Sequence, residues 1–435
     1  MHNVILSARV TLLFTDGCAK AEGNALTVTG ATTAALLISL ATNYRLSPEL
    51  FFTECPKLEE RDPMPLVKEI LDKAKAYSIE ELYERHLKDY RSLFDTADIF
   101  LSDGKEDHRP TNERLKAYEE GQSDTGLEEL YFRYGRYLLI CSSRKGCLPP
   151  NLQGIWAGTD GTPWGSGYWH NINIQMNYWP AFRTGLASLF VSYADYFKAF
   201  LPKAREYAYA YVRSIHPRAA EKDKCGYLLS TGAYAYSIEP FTPTGHSGPG
   251  TMGLTTKLFW EYYDYTQDET LLRETVYPVL LDTVRLYTKS VVLTDGLYLA
   301  SHSASPEQTD FMTYPAGKPW NPYYHLTVGC AFDSQMIYES GKDFLKAEAV
   351  LGLHSAEGET VKAQLPFYDP VVIGASGQIK EFREETFYGE YGEYRHRHIS
   401  QLVGLVPGSS VNKATPATGF VPGRKPETAT VPTPF

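Results

Sequence analysis

Hydrophobic positions form short apolar or β-branched runs near the start of the chain and recur at a helical spacing over most of the remainder. The runs cover residues 4–14 and 34–41, and turn residues lie between them. This pattern predicts strands of an antiparallel sheet. Because two or three strands form only a marginally stable sheet, we interpret residues 1–60 as the remnant of a larger N-terminal β-domain.

Helical periodicity takes over after the proline-containing break at residues 62–65. Ser78 and Glu81 form a capping-box pattern at the start of an amphipathic segment, which predicts a helix there. The pattern also predicts a short strand at residues 98–101. We interpret residues 61–125 as a helical linker to the region that follows.

Helical segments alternate with long loops from residue 126 to residue 408. The predicted helices cover residues 127–140, 186–200, 202–212, 251–266, 271–290, 332–351 and 359–364. Such a succession predicts antiparallel helical hairpins arranged around a centre, with the loops gathered at one end to form a site. Residues 409–435 are dense in Pro, Thr, Ala and Gly, which predicts a disordered tail.

Residues 151–180 differ in composition from the rest of the chain. Four of the six tryptophans lie here, interleaved with glycines and with six side-chain amides. A sugar ring has an apolar C–H face and a polar hydroxyl edge, so this mixture of flat apolar rings and amides suits a carbohydrate-binding surface. The alternative is a long irregular loop whose tryptophans are buried anchors.

Charge and cysteine content exclude several classes of protein. A net charge of −10 over 435 residues argues against a nucleic-acid-binding surface, which relies on clustered Lys and Arg. The six cysteines show no metal-ligand spacing and no disulfide framework. No run of about 18 apolar residues predicts a membrane span, and the start does not read as a signal peptide. The cellular compartment is left open.

Two short segments carry candidate chemistry. Glu307 lies in a Ser- and Pro-rich loop after a strand-like segment, where a carboxylate could serve as a general acid, or could merely cap the following turn. His396, Arg397 and His398 are consecutive, which favours hydrogen bonding to substrate hydroxyls over metal binding, since no carboxylate or cysteine lies at ligand spacing. A solvated basic turn is the alternative there.

Three blocks together resemble a known family. They are GRYLLICSSRKGCLPPNLQGIW running into WGSGYWHNINIQMNYWP (135–180), SASPEQ (303–308) and HRHISQLVGLVPG (396–408). In order and spacing they resemble the catalytic region of glycoside hydrolase family 95, the α-L-fucosidase family. The resemblance implies a mainly α protein, an (α/α)6 barrel preceded by a β-domain, and hydrolysis of terminal α-L-fucosyl linkages with inversion.

The resemblance also implies roles for individual residues. Glu307 would be the general acid, and the amides of Asn171 and Asn173 would hold the attacking water. Arg397 and His398 would contact the sugar. Further substrate contacts are expected from Trp156, Trp164, Trp169 and His170. No cofactor or metal is expected, and the expected partner is a fucosylated oligosaccharide or polysaccharide.

The sequence departs from the family pattern in ways that affect the expected chemistry. The family's FQIDGNFG-like block, whose aspartate polarises the asparagine, is absent downstream of residue 398. We therefore expect a chain truncated at both ends, with an incomplete barrel. Asp160 or Asp333 could replace the missing carboxylate. Gln401 stands where a third His is common, which leaves a related sugar such as L-galactose open. The alternative is a catalytically inactive fragment that only binds carbohydrate.

Overall fold

The structure is a computed structural model that describes residues 4–52, 58, 61–101, 107–241, 246–309 and 325–415. Contacts between residues divide the chain into two compact units, Met1–Phe100 and Leu101–Phe435. The domain boundaries expected at residues 60, 125 and 408 stay predictions.

The first unit contains four antiparallel strands. Strand β1 (Leu6–Thr15) pairs with β4 (Ala34–Thr42), with Val10 opposite Ile38, so both predicted strands are confirmed. A second hairpin lies between them, formed by β2 (Cys18–Glu22) and β3 (Ala25–Thr29). The sequence pattern missed it because all five residues of β2 are exposed, so no buried face imposes a period of two.

Two helices complete the first unit. Helix α1 (Met64–Ala74) packs on β1 and β4 through Val67 and Leu71, which lie one turn apart and are buried. Helix α2 (Ile79–Phe94) begins at the predicted capping box: Ser78 Oγ accepts from the Glu81 backbone N–H at 3.2 Å. Residues 98–101 form no strand, contrary to expectation. The Leu101 N–H instead donates to the Glu129 side chain at 2.6 Å, which satisfies it without a sheet partner.

The second unit is mainly helical, as predicted. Its helices are α3 (Thr111–Glu119), α4 (Thr125–Ser142), α5 (Asn173–Arg183), α6 (Val191–Ile215), α7 (Gly250–Thr266), the single turn α8 (Glu269–Leu271), α9 (Tyr277–Ser290), α10 (Ala331–Leu351) and α11 (Ala356–Gln364). Helix α7 packs against α5, α9 and α10 and is buried along most of its length. A helix that is buried on nearly every side marks the centre of the packing.

Two helices differ from expectation. Segments 186–200 and 202–212 are joined, since α6 runs through Pro202 without ending. Buried Phe197, Phe200 and Ala204 continue one apolar face across the proline, and that burial outweighs the lost backbone hydrogen bond. Helix α5 lies inside the tryptophan-rich stretch, where the composition indicated a carbohydrate-binding surface or an irregular loop and no helix was predicted.

Helices α7 and α10 are joined by a buried ionic network. The Lys257 ammonium donates to Asp343 at 2.7 Å and to Glu339 at 3.1 Å, and all three side chains are at most 6% exposed. Glu339 also accepts backbone N–H groups of Ser409 and Ser410. Ser409 and Ser410 are thus attached to α10, and the Val411 N–H donates to the Gly404 carbonyl, so the predicted disordered tail does not begin at residue 409. Residues 416–435 lie outside the described residues.

Two short hairpins lie beside the helices. One pairs β5 (Ala233–Tyr234) with β6 (Ser237–Ile238), and the other pairs β7 (Val291–Thr294) with β8 (Leu297–Ala300), which confirms the strand-like segment before Glu307. Asp295 and Gly296 both have positive φ, as a two-residue hairpin turn requires. Within the part of the chain that the structure describes, no helix is long and apolar enough to cross a membrane.

Candidate functional site

A loop after β8 presents Glu307. We call residues 303–308 the Glu307 loop. Its first residue exchanges two backbone hydrogen bonds with Thr327, at 3.1 and 2.9 Å, and the Ala304 carbonyl accepts from the Gly248 N–H at 2.8 Å. At its end the Gln308 N–H donates to the Ser305 carbonyl at 2.9 Å. The backbone that carries Glu307 is therefore fixed from several sides.

Three distant stretches of chain meet at the Glu307 carboxylate. Asn171 Nδ2 donates to Oε1 at 3.0 Å, and the Arg397 guanidinium donates to Oε2. His398 Nδ1 and the Ser400 hydroxyl both donate to the Pro306 carbonyl, at 3.1 and 3.0 Å. The structure thus brings together four of the residues that the sequence analysis selected, and it adds Ser400.

Both carboxylate oxygens of Glu307 accept hydrogen bonds, one of them from a cation. This arrangement suits an ionised carboxylate, the form that remains after a general acid has delivered its proton. Burial, followed by the nearby Arg397 charge, lowers the pKa of His398, against an opposing effect of Glu307. Its Nδ1–H is donated to Pro306, so in the neutral ring Nε2 is an acceptor, and it has no hydrogen-bond partner among the described residues.

A cavity of about 600 Å³ adjoins this cluster. One part of its wall is polar and comes from Asn171, Asn173, Arg397, His398 and Ser400. The rest is mainly apolar and comes from Ile172, Met176, Trp179, Leu254, Phe332, Ile399, Leu402, Val403, Leu405 and Val406. Several of these residues belong to the core cluster that also contains Cys330, Met336 and Phe382. The cavity therefore has the mixed character that suits a small, partly apolar sugar.

Comparisons with known proteins identify the family of this chain. The sequence model of the "Glycosyl hydrolase family 95 catalytic domain" matches residues 78–420. The chain belongs to glycoside hydrolase family 95. It is 31% identical over 399 residues to Alpha-L-fucosidase 2 of Arabidopsis thaliana, covering 89% of this chain and 44% of the relative. It is also 31% identical to Probable alpha-fucosidase A of Aspergillus niger, covering 77% of this chain and 40% of that protein.

A solved structure shares the fold of this family 95 chain. A putative kojibiose phosphorylase from human microbiome superposes with a TM-score of 0.52 at 8% identity, covering 87% of this chain and 45% of that one. At this identity the likeness concerns the fold alone, and it agrees with the expected helical-hairpin barrel architecture. The chain spans less than half the length of the two curated relatives named above.

Backbone hydrogen bonds fix the positions of the residues that precede Asn171. Tyr168 and His170 donate their backbone N–H groups to Ala233 and Thr231, at 2.7 and 2.8 Å. The His170 ring is fully buried, and its Nε2 lies 2.9 Å from the Tyr193 hydroxyl. Burial lowers the pKa of His170 to about 4. Sequence analysis expected a sugar contact from this ring, but the structure places it in the core.

The two asparagines occupy different positions. Asn171 is 2% exposed and is committed to Glu307. Asn173 is the first residue of α5 and lines the cavity. Within the described ranges its side chain makes no hydrogen bond, so its amide is available to a ligand or a water molecule.

The tryptophans that were selected from the sequence lie in different environments. The Trp169 ring packs edge-on between those of Tyr234 and His246, with centroids 6.5 and 6.3 Å away. Trp164 is 72% exposed, and Trp156 lies over Gly154. None of these three lines the 600 Å³ cavity. Trp179 does, although the sequence analysis did not select it as a site residue.

The proposed substitute carboxylates do not meet the asparagines. Asp160 is exposed, and no hydrogen bond joins it to Asn171 or Asn173 in the described ranges. Asp333 is fully buried and accepts from the Gly250 N–H at 2.6 Å and from the Ser303 hydroxyl. Burial raises the pKa of Asp333 to about 6. Asp333 therefore stabilises the Glu307 loop through its hydrogen bond with Ser303.

Sequence reasoning missed Glu381, which accepts a hydrogen bond from the Ser305 hydroxyl two residues before Glu307. The only local signal was the acidic run at residues 381–385, which resembles an ordinary solvated turn. Among the described residues, no group of His, Cys, Asp and Glu is arranged to hold a metal ion.

Proposed function

We propose that this family 95 chain carries the catalytic apparatus of a glycoside hydrolase that cleaves terminal α-L-fucosyl linkages with inversion. The observation that carries this proposal is the convergence of Asn171, Arg397 and Glu307 beside a cavity of about 600 Å³. The names of the curated relatives, both fucosidases, support the choice of sugar.

Glu307 acts as the general acid. It donates its proton to the glycosidic oxygen as the bond from that oxygen to the anomeric carbon breaks, so the leaving sugar departs as a neutral alcohol. Arg397 and Asn171 then stabilise the carboxylate that remains, because both already donate to its oxygens.

A water molecule held by Asn173 and Asn171 attacks the opposite face of the anomeric carbon. As its oxygen bonds to that carbon, one of its protons passes to solvent, and Glu307 takes up a proton from solvent before the next turnover. Inversion requires that the water and the acid be separately placed; the Asn173 amide, which lines the cavity and has no hydrogen-bond partner among the described residues, supports this placement. His398 Nε2 is available to accept a hydrogen bond from a sugar hydroxyl.

The apolar wall of the cavity favours a 6-deoxy sugar. Met176, Leu254 and Phe332 offer no hydrogen-bonding groups there. The methyl group of fucose can be buried against such a wall, whereas the additional hydroxyl of L-galactose would lose its hydrogen bonds to water. Fucose is therefore preferred over L-galactose.

A second candidate function is binding without turnover. It is favoured by one observation: in the described ranges, the only carboxylate hydrogen-bonded to Asn171 is Glu307, the proposed acid, and none is hydrogen-bonded to Asn173, while an amide does not by itself deprotonate water. Calorimetric titration with fucose tests this candidate, since binding by a protein that releases no fucose would support it.

The test of hydrolysis is the release of fucose from a 2′-fucosylated oligosaccharide. Replacing Glu307 with Gln keeps the shape of the side chain but removes its proton, so we expect kcat to fall about 10²–10⁴-fold. Glu357→Gln is the control, because Glu357 pairs with Arg285 at 2.7 Å and makes no contact with the site. Equal rates for Glu307→Gln and the parent protein would contradict the proposed role of Glu307.

A further inference from the structure

Two buried carboxyl groups accept hydrogen bonds from the Glu307 loop. Asp333 accepts from the Ser303 hydroxyl and from the Ala304 N–H, the latter at 3.3 Å. Glu381 accepts from the Ser305 hydroxyl. Every residue from 303 to 305 is thus tied to a carboxyl group of the core, and Ser305 is the tie closest to Glu307.

Glu381 is itself rigidly placed. Its backbone carbonyl accepts from the Ala331 N–H at 3.0 Å, and its backbone N–H donates to Glu385 at 3.0 Å. The residue is 2% exposed, and its second oxygen, Oε2, is buried with no hydrogen-bond partner among the described residues. Within that part of the chain, the side chain of Glu381 therefore has one hydrogen bond, and it is with the Glu307 loop.

From this geometry we propose that Glu381 is a positioning residue, which aligns Glu307 with the leaving oxygen by holding Ser305. The inference rests on the proposed role of Glu307 as the general acid. Glu381 does not touch the cavity and takes no part in proton transfer to substrate. It acts only through the backbone of the loop.

The protonation state of Glu381 affects its hydrogen bond with Ser305. The titratable groups that face Glu381 are Glu385, Tyr388 and Cys330. In the described part of the chain no cation pairs with Glu381, because the nearby Lys380 and Arg383 are hydrogen-bonded to other groups. Burial, then the Glu385 charge, raises the pKa of Glu381 to about 7. Burial disfavours the ionised form, but the Ser305 hydroxyl donates to this carboxyl group and favours it, so ionisation above this pH should strengthen the contact with Ser305.

The test compares two substrates that differ in how much they need an acid. A fucosyl-galactoside has a poor leaving group that requires protonation, whereas 4-nitrophenyl α-L-fucoside has a good one that requires little. If Glu381 aligns Glu307, Glu381→Ala and Ser305→Ala should each lower kcat/KM at least ten times more on the galactoside. The double variant should be no worse than either single variant, because both remove one contact. Equal losses on the two substrates would overturn the proposal.

The conservative variant and a matched control complete the test. Glu381→Gln keeps an acceptor for Ser305 but stays neutral at every pH, so its activity on the galactoside relative to that of the parent should fall above pH 7, where only the parent gains a charge-assisted hydrogen bond. Glu348→Gln should behave like the parent at every pH, because Glu348 is equally buried but accepts from Ser355, away from the loop. A pH profile of Glu381→Gln identical to that of the parent would contradict the role.

A readout without turnover separates this inference from the proposed function. Amide hydrogen exchange in residues 303–308 should be faster in Glu381→Ala than in the parent, and unchanged in Glu348→Gln. If the parent hydrolyses neither substrate, the proposed activity fails for this chain, and the exchange measurement alone decides whether Glu381 holds the loop. Unchanged exchange in Glu381→Ala would overturn the inference whatever the activity.

Discussion

At the scale of single residues, the site depends on how neighbouring side chains divide between the core and the cavity. His170 and Asn171 are adjacent, yet the imidazole packs against Tyr193 and the amide reaches Glu307. Sequence alone places both in the same Trp- and amide-rich block. Backbone hydrogen bonds from Tyr168 to Ala233 and from His170 to Thr231 hold the chain so that the two side chains face different surroundings.

The same division explains which site residues could be predicted. Glu307, Asn171, Arg397 and His398 lie in recognisable blocks, so the resemblance to the family selected them. Glu381 lies in an acidic run with no such signal, and its contact with Ser305 joins residues 76 positions apart. Contacts of this kind depend on the complete packing of the core and leave no local pattern in the sequence.

Glu381 also gives a testable dependence of stability on pH. Its pKa is raised in the folded protein from the ordinary 4.5 to about 7. The folded state therefore binds more protons than the unfolded state between these values, and the stabilising contribution is complete below about pH 4.5 and lost as pH rises through 7. We expect the free energy of unfolding of the parent, relative to Glu381→Gln, to fall on the order of 3 kcal/mol between pH 4.5 and 8.

Urea unfolding of both proteins at several pH values measures this difference. The contributions of all other titrating groups cancel in the difference between the parent and Glu381→Gln, since those groups are common to the two proteins. A constant difference in the free energy of unfolding from pH 4.5 to pH 8 would show that Glu381 is not held in the protonated form.

At the scale of elements, helix propensity and the apolar period identified most helices, but they predicted neither helix α5 nor the continuity of α6. Helix α5 contains Pro180 and follows a glycine-rich segment, so no helix was predicted there. It is helical because Ile174, Tyr178 and Phe182 recur every four residues and are buried, and tertiary burial outweighs weak local preference. Burial likewise outweighs the helix-breaking effect of Pro202 in α6.

The junction of α7 and α10 gives a prediction at this scale. Replacing Lys257 with Met leaves two buried carboxylates, Glu339 and Asp343, without their shared cation. We expect the free energy of unfolding to fall by about 3–5 kcal/mol. Lys346→Met is the matched control, because Lys346 pairs with the same Asp343 but is 47% exposed, and its loss should cost less than about 1 kcal/mol. Similar losses in the two variants, measured by chemical denaturation, would contradict this view of the junction.

At the scale of the whole molecule, the chain combines a small unit of strands and two helices with a larger helical unit that contains every residue of the site. The family match begins at residue 78, within α2 and its cap, and extends to residue 420. The mainly helical class could be predicted from the apolar period, because that period is a property of long segments. The convergence of residues 171, 307 and 397 could not, because it depends on how those segments fold together.

The central claim is that Glu307 and the asparagine-held water act on opposite faces of an α-L-fucosyl group. The most direct test is proton NMR of the chain hydrolysing an α-L-fucoside, recorded before the released sugar mutarotates. Inversion predicts that β-L-fucose appears first and that the signal is lost in Glu307→Gln. Initial release of α-L-fucose would contradict the account, because it would require a nucleophilic carboxylate on the protein in place of the water.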